Sequence, residues 1–225
     1  MNHQRQYFSF SGLQSLVVLD GCDDLYPIFK SVLRDWPMVP ISMRPSPEPV
    51  ITLEKHQHGY ERRSHWLSKP SVFADPVDTV CDFIVDLIHA YVAEHQRDLC
   101  LHGAAVELDS GLMVFPNTYR AGKSILSIKL VSLGARLFSD DVLPINRQRN
   151  AGTALGILPR LRLPLPDTAG PSLTAYVEKK IGPQNTRYRY IRLDEDELAP
   201  LGSEAPVAAI TILRRDPGAK HSLRP

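Results

Sequence analysis

The sequence predicts an α/β protein with a smaller, mostly β N-terminal region, and three observations predict it. Residues 75–95 carry one long amphipathic helical pattern, residues 112–141 alternate strand, loop, helix and strand, and residues 1–74 hold only short apolar runs broken by turn formers. The boundary falls at residue 74, with a β-rich region of residues 1–74 before it and the larger domain, residues 75–225, after it.

In chain order, "LQSLVVLDG" and "PVITLEK" are strand-like runs separated by the Pro-rich "PMVPISMRPSPEPV". A helix starts at "FADPVDTV", with Asp75 as N-cap, Pro76 at the first helical position and Asp78 in the first turn. Val77, Val80, Cys81, Ile84, Ile88, Tyr91 and Val92 share one face, which predicts docking on a sheet. "DLCLHGAAVEL", a turn at Asp109-Ser110-Gly111 and "LMVF" read as a hairpin. "KSILSIKLVSLG" has helical spacing and stops at Gly134, and "ARLFSDDVLPI" reads as a buried strand ending in two carboxylates. The tail closes on the strand-like "APVAAITILRR", and a stop so soon after a core strand predicts a truncated C-terminus.

Composition excludes several classes. The chain has 225 residues, 43% hydrophobic and 23% charged, with a net charge of +1. That balance gives no global field for nucleic acid or an anionic membrane, so neither partner is expected. Three widely spaced cysteines, Cys22, Cys81 and Cys100, suit free thiols in a reducing compartment, and the N-terminus lacks the apolar core of a signal peptide. A cytoplasmic location is expected.

Chemistry concentrates in "FPNTYRAGKSIL". Its end matches the pattern G-x-x-x-x-G-K-[ST], whose backbone N–H groups and helix N-terminus converge on phosphate oxygens, with Lys supplying charge and Ser or Thr a metal ligand. Asn117 replaces the first glycine, and Asn is the residue other than glycine best suited to a left-handed backbone position. Arg120 stands at a position that is commonly small. Asn117, Thr118, Tyr119, Arg120, Ala121, Gly122, Lys123 and Ser124 are the candidate nucleotide-binding residues. The following strand delivers Asp140 and Asp141, carboxylates suited to holding Mg²⁺ or accepting a hydroxyl proton.

Residues 101–145, with His102-Gly103, the loop, Gly134-Ala135-Arg136-Leu137 and Asp140-Asp141, resemble the catalytic core of HPr kinase/phosphorylase and its relatives, whose fold is akin to that of PEP carboxykinase. The resemblance implies an HPr kinase/PEP carboxykinase-like α/β P-loop core and an ATP- and Mg²⁺-dependent serine kinase. Lys123 would neutralise phosphate charge, Ser124 would bind Mg²⁺, Asp140 would accept the serine proton, Asp141 would shape metal or proton chemistry, and His102 would lie near the phosphates. The acceptor would be the serine of a protein or peptide, and a homo-oligomer stays open.

The family's later signature, a Glu followed by Arg-Gly-Leu-Gly, is absent, and "PRLRLPLPDTAG" stands in its place. Asp167 is the candidate for the missing acidic metal ligand, and Arg160 or Arg162 for the arginine. This departure weighs against phosphorylase activity and against HPr as substrate. A catalytically decayed nucleotide-binding regulator and a small-molecule kinase stay open as alternatives. His56, His58 and His65 lack a partner set for zinc, and "TRYRYIR" reads first as a solvated strand face and next as a grip for an acidic partner.

Overall fold

The computed structural model describes residues 5–42, 48–116 and 121–214. The first part builds a six-stranded sheet from β1 (Arg5–Phe10), β2 (Leu16–Asp20), β3 (Met38–Ile41), β4 (Ile51–His56), β5 (Gly59–Ser64) and β6 (Ser71–Phe73), in the order β3-β1-β2-β4-β5-β6. A short helix, α1 (Tyr26–Val32), follows β2. His56 ends β4 and His58 lies in the turn before β5, so no strand face unites them.

The expected helix forms as α2 (Pro76–Glu94), with the Asp75 carboxylate accepting the Asp78 N–H at 2.9 Å. Apolar residues lie on two of its sides. Phe83 packs between Phe10 and Phe29 at centroid separations of 6.0 and 4.8 Å. The buried Asp86 faces the buried Arg62 of β5 at 3.3 Å. At the far end Glu94 accepts the N–H groups of Gln14 and Ser15 at 2.7 and 2.8 Å. These contacts fasten α2 to the first sheet.

The hairpin forms as predicted, from β7 (Asp98–Leu108) and β8 (Gly111–Pro116). Then come α3 (Lys123–Val131), β9 (Arg136–Ser139), β10 (Val142–Asn146) and β11 (Ala151–Thr153). Gly134 has φ +103° and closes α3 as a Schellman cap: its N–H reaches the Val131 carbonyl at 2.9 Å, and the Ala135 N–H reaches that of Leu130 at 3.1 Å. A three-stranded sheet of β12 (Arg160–Arg162), β13 (Ile181–Gln184) and β14 (Tyr188–Ile191) encloses α4 (Gly170–Lys179) in sequence. The last described strand, β15 (Glu204–Ile210), returns to lie between β8 and β11.

The pairings β7–β8, β8–β15, β15–β11, β11–β10 and β10–β7 close a five-stranded barrel. Its interior is filled by small and branched apolar side chains, among them Ala105, Leu112, Val114, Leu143 and Ala205. This corrects the expected α/β, HPr kinase/PEP carboxykinase-like P-loop core: the protein is mostly β, with 39% strand and 25% helix. Strand direction is the reason. A parallel α/β sheet needs a crossover between neighbours, whereas β7 lies between β8 and β9 and runs antiparallel to both. The local order strand, loop, helix, strand is present, but it threads an antiparallel sheet. Among the described residues no helix is long and apolar enough to cross a membrane.

Asp75 serves α2 twice, as cap and as acceptor of the Asn185 side-chain N–H at 2.8 Å. Asp75→Ala is expected to cost about 1–2 kcal/mol, read as a melting-temperature decrease of roughly 2–8 °C by calorimetry.

Candidate functional site

One cavity of about 630 Å³ opens where α2, α3, the β9–β10 junction and β12–β14 meet. Its geometry originates in β7. The eleven-residue β7 pairs along one edge with two consecutive strands, β9 opposite residues 105–107 and β10 opposite residues 98–102. The partner chain breaks between them, at Asp140-Asp141, and the break faces Gly103. There the Gly103 N–H donates to the Asp141 carbonyl at 2.8 Å, and the Ser139 hydroxyl donates to the Gly103 carbonyl at 3.1 Å. A Cβ on residue 103 would stand 2.9 Å from the Phe115 carbonyl oxygen of β8. Only glycine lets β7 lie this close to β8 here.

Released from the ladder, the two aspartates meet the start of α3. Gly122, with φ 94°, occupies the N-cap position, followed by Lys123 and Ser124 in the first turn. Lys123 is buried in the cavity wall. Asp140 Oδ2 accepts the Arg160 N–H at 3.1 Å. Asp140 Oδ1 is buried with no hydrogen-bond partner among the described residues. Burial pushes the Asp140 carboxyl up to about 6, outweighing the Arg160 N–H and the Ser124 hydroxyl, which favour the ionised form; the Asp141 charge adds to the rise. Asp141 is exposed, with Oδ1 3.2 Å from His102 Nδ1.

The rest of the wall comes from the three-stranded sheet and α2. β12 and β14 place Arg160 opposite Tyr190 and Arg162 opposite Tyr188. Tyr190 is buried, with its hydroxyl 3.1 Å from Cys81 Sγ of α2. Ile84, Val85 and Ile88 extend the α2 side as an apolar surface. Asn185 anchors this sheet to the α2 N-terminus: its side-chain N–H groups reach Asp75 and Asp78, and its side-chain carbonyl oxygen accepts the backbone N–H groups of Arg187 and Tyr188 at 2.9 Å each.

The structure thus brings His102, Ala121, Gly122, Lys123, Ser124, Asp140 and Asp141 to one cavity. Asn117, Thr118, Tyr119 and Arg120 lie outside the described residues. Asp167 sits exposed in a 3₁₀ turn and is not part of the cavity wall, whereas Pro164 and Pro166 on either side of Leu165 are. Tyr188, Tyr190 and Cys81 also line the cavity, although no motif marks them and "TRYRYIR" reads first as a solvated strand face. The usable signal was alternation, since "RLR" and "YRY" each put their outer residues on one strand face. Among the described residues no group of three or more His, Cys, Asp or Glu is placed to hold a metal. The oxygens that suit Mg²⁺ are those of Ser124, Asp140 and Asp141, a set matching an ion that keeps several waters and shares phosphate oxygens. The unpartnered Asp140 Oδ1 fits such a role or that of a proton acceptor.

Comparison of the chain with protein-family models, curated proteins and solved structures finds no match in any of the three.

Because Asp140 holds its proton more tightly when folded than when unfolded, the native state binds more protons between roughly pH 4 and pH 6. Its contribution to stability is therefore complete at low pH and is lost as pH rises through about 6. In a chelator-treated sample, carboxyl-carbon NMR should show one aspartate titrating near pH 6, and urea midpoints of the wild type should fall across this window relative to Asp140→Asn. Parallel midpoints would contradict the burial argument.

Proposed function

We propose that the protein is an ATP- and Mg²⁺-dependent phosphotransferase of the HPr-kinase-related type that passes the γ-phosphoryl group to a serine hydroxyl of a protein or peptide. The observation that carries this reading is the convergence of Gly122, Lys123 and Ser124 at the start of α3 with Asp140 and Asp141 on one cavity. The resemblance of residues 101–145 supports it, and free Cys22, Cys81 and Cys100 suit a cytoplasmic setting.

The α3 N-terminus presents N–H groups and a positive dipole end to phosphate, and Lys123 adds a full charge from a largely dehydrated position. Ser124 and Asp141 would hold Mg²⁺, which when bound neutralises charge on the phosphoryl group. Asp140 is the base: the serine oxygen bonds to phosphorus, ADP leaves with the electron pair of the broken P–O bond, and the hydroxyl proton passes to the Asp140 carboxylate. A carboxyl lifted to about 6 is ionised at neutral pH, yet more basic than an ordinary aspartate. His102 positions Asp141 through their contact at 3.2 Å.

Lys123→Ala should abolish MgATP binding in titration calorimetry, and unchanged affinity would sink the phosphate-site assignment. Asp140→Asn should keep nucleotide binding while lowering phosphoryl transfer by about 10²–10⁴-fold. The assay is γ-labelled ATP with a lysate of the source organism. Label on protein supports this reading, label only in low-mass material assigns a small-molecule kinase, and binding without transfer assigns a regulatory nucleotide-binding module.

A further inference from the structure

The part of the wall built by β12 and β14 carries its own chemistry. β12 and β14 bring Arg160, Arg162, Tyr188 and Tyr190 to the cavity together with Leu161, while Arg189 takes the other face. Leu161 is buried in the core, and Arg189 is held by Glu178 at 2.5 Å. Three guanidinium carbons surround the Tyr188 ring, those of Arg160, Arg187 and Arg162 at 4.5, 5.3 and 5.6 Å from its centroid. Arg187 is paired with Asp78 at 2.6 Å. Arg160 is partly buried, its side chain lies by the Cys81 thiol and Tyr190, and Asp82 and Asp140 are near enough to feel its charge, but among the described residues it forms no ion pair with a carboxylate.

A partly buried guanidinium without an ion-paired carboxylate, on a wall shared with a second arginine, suits an anion from outside the chain. ATP phosphate is provided for by Lys123 and the α3 N-terminus. The anion at this wall therefore belongs to the other substrate. Guanidinium forks match carboxylates in pairs, and the adjoining Ile84, Val85 and Ile88 surface suits an apolar side chain. A nucleic acid fits less well, because the net charge of only +1 gives no extended basic field along which a phosphate backbone could run.

We infer that the Arg160, Arg162 and Tyr188 wall is the acceptor-recognition site, and that it selects a peptide segment with carboxylate side chains flanking the acceptor serine. This inference rests on the phosphotransferase reading for its role, but its binding chemistry is tested without nucleotide.

The probes are two fluorescein-labelled peptides, Glu-Glu-Leu-Ser-Glu-Glu and Gln-Gln-Leu-Ser-Gln-Gln, titrated with the full chain by fluorescence polarisation at low salt. The acidic peptide should bind about tenfold or more tightly. Arg162→Gln, at an exposed position, should remove most of that preference, and Arg162→Glu should reverse it. Arg160→Lys, which keeps the charge but loses the fork, should weaken acidic-peptide binding if it folds, and the Arg162 variants decide the matter if it does not. Equal affinity for both peptides, or more effective displacement by a single-stranded RNA decamer than by unlabelled acidic peptide, overturns the inference. Calorimetry with MgATP on the same sample separates the two readings. A chain that prefers the acidic peptide but binds no MgATP overturns the phosphotransferase reading, whereas one that binds MgATP without the preference overturns this one.

Discussion

The site depends on a steric constraint at the middle of β7. One long strand has to satisfy backbone partners on both edges, and on one edge its partner is interrupted. Gly103 is where these demands meet, since the β8 backbone is too near to admit a Cβ and the Asp141 carbonyl takes the Gly103 N–H. Because the ladder resumes immediately at Val142 opposite His102, the two aspartates are held from both ends. They are displaced from the sheet without being free to move away from it. A carboxylate presented on an ordinary loop would lose part of its effect to conformational averaging.

The second support is Asn185. Its amide group hydrogen-bonds to the α2 N-terminus on one side and closes the turn before β14 on the other. Tyr188 and Tyr190 follow at once, so the position of the arginine and tyrosine wall is referred to the helix cap. The Tyr190 hydroxyl against Cys81 repeats this connection one turn further along α2. Hydrogen bonds between separate elements thus locate the parts of the cavity wall relative to one another.

Much of this could be read in the residues. The α2 cap was visible as Asp75-Pro76 with Asp78, the hairpin as Asp109-Ser110-Gly111, and the α3 stop as Gly134, because each is settled by neighbours in sequence. The meeting of Lys123 and Ser124 with Asp140 and Asp141 was also foreseeable, since one helix and one short connection separate them. Strand direction was not. Periodicity reports which face of a strand is buried and says nothing of whether its neighbour runs parallel, and the return of β15 to close the barrel is a contact between segments far apart in sequence. The pairing of Arg160 and Arg162 with Tyr190 and Tyr188 escaped for the same reason, with α4 lying between the two strands. Asp167 was placed by analogy of position alone, and its 3₁₀ turn leaves it outside the cavity wall.

Helix α2 is common property of two structures. Phe83, Asp86 and Glu94 belong to the first sheet, while Cys81, Ile84 and Ile88 belong to the cavity. A recombination that exchanged residues 1–74 for a foreign segment would therefore alter the seat of the helix and, through it, the depth of the cavity. The cavity lies wholly on later elements, yet its inheritance is tied to the first sheet, and substitutions at Phe10 or Phe29 belong among the changes through which descendants of this chain could diverge in what they accept.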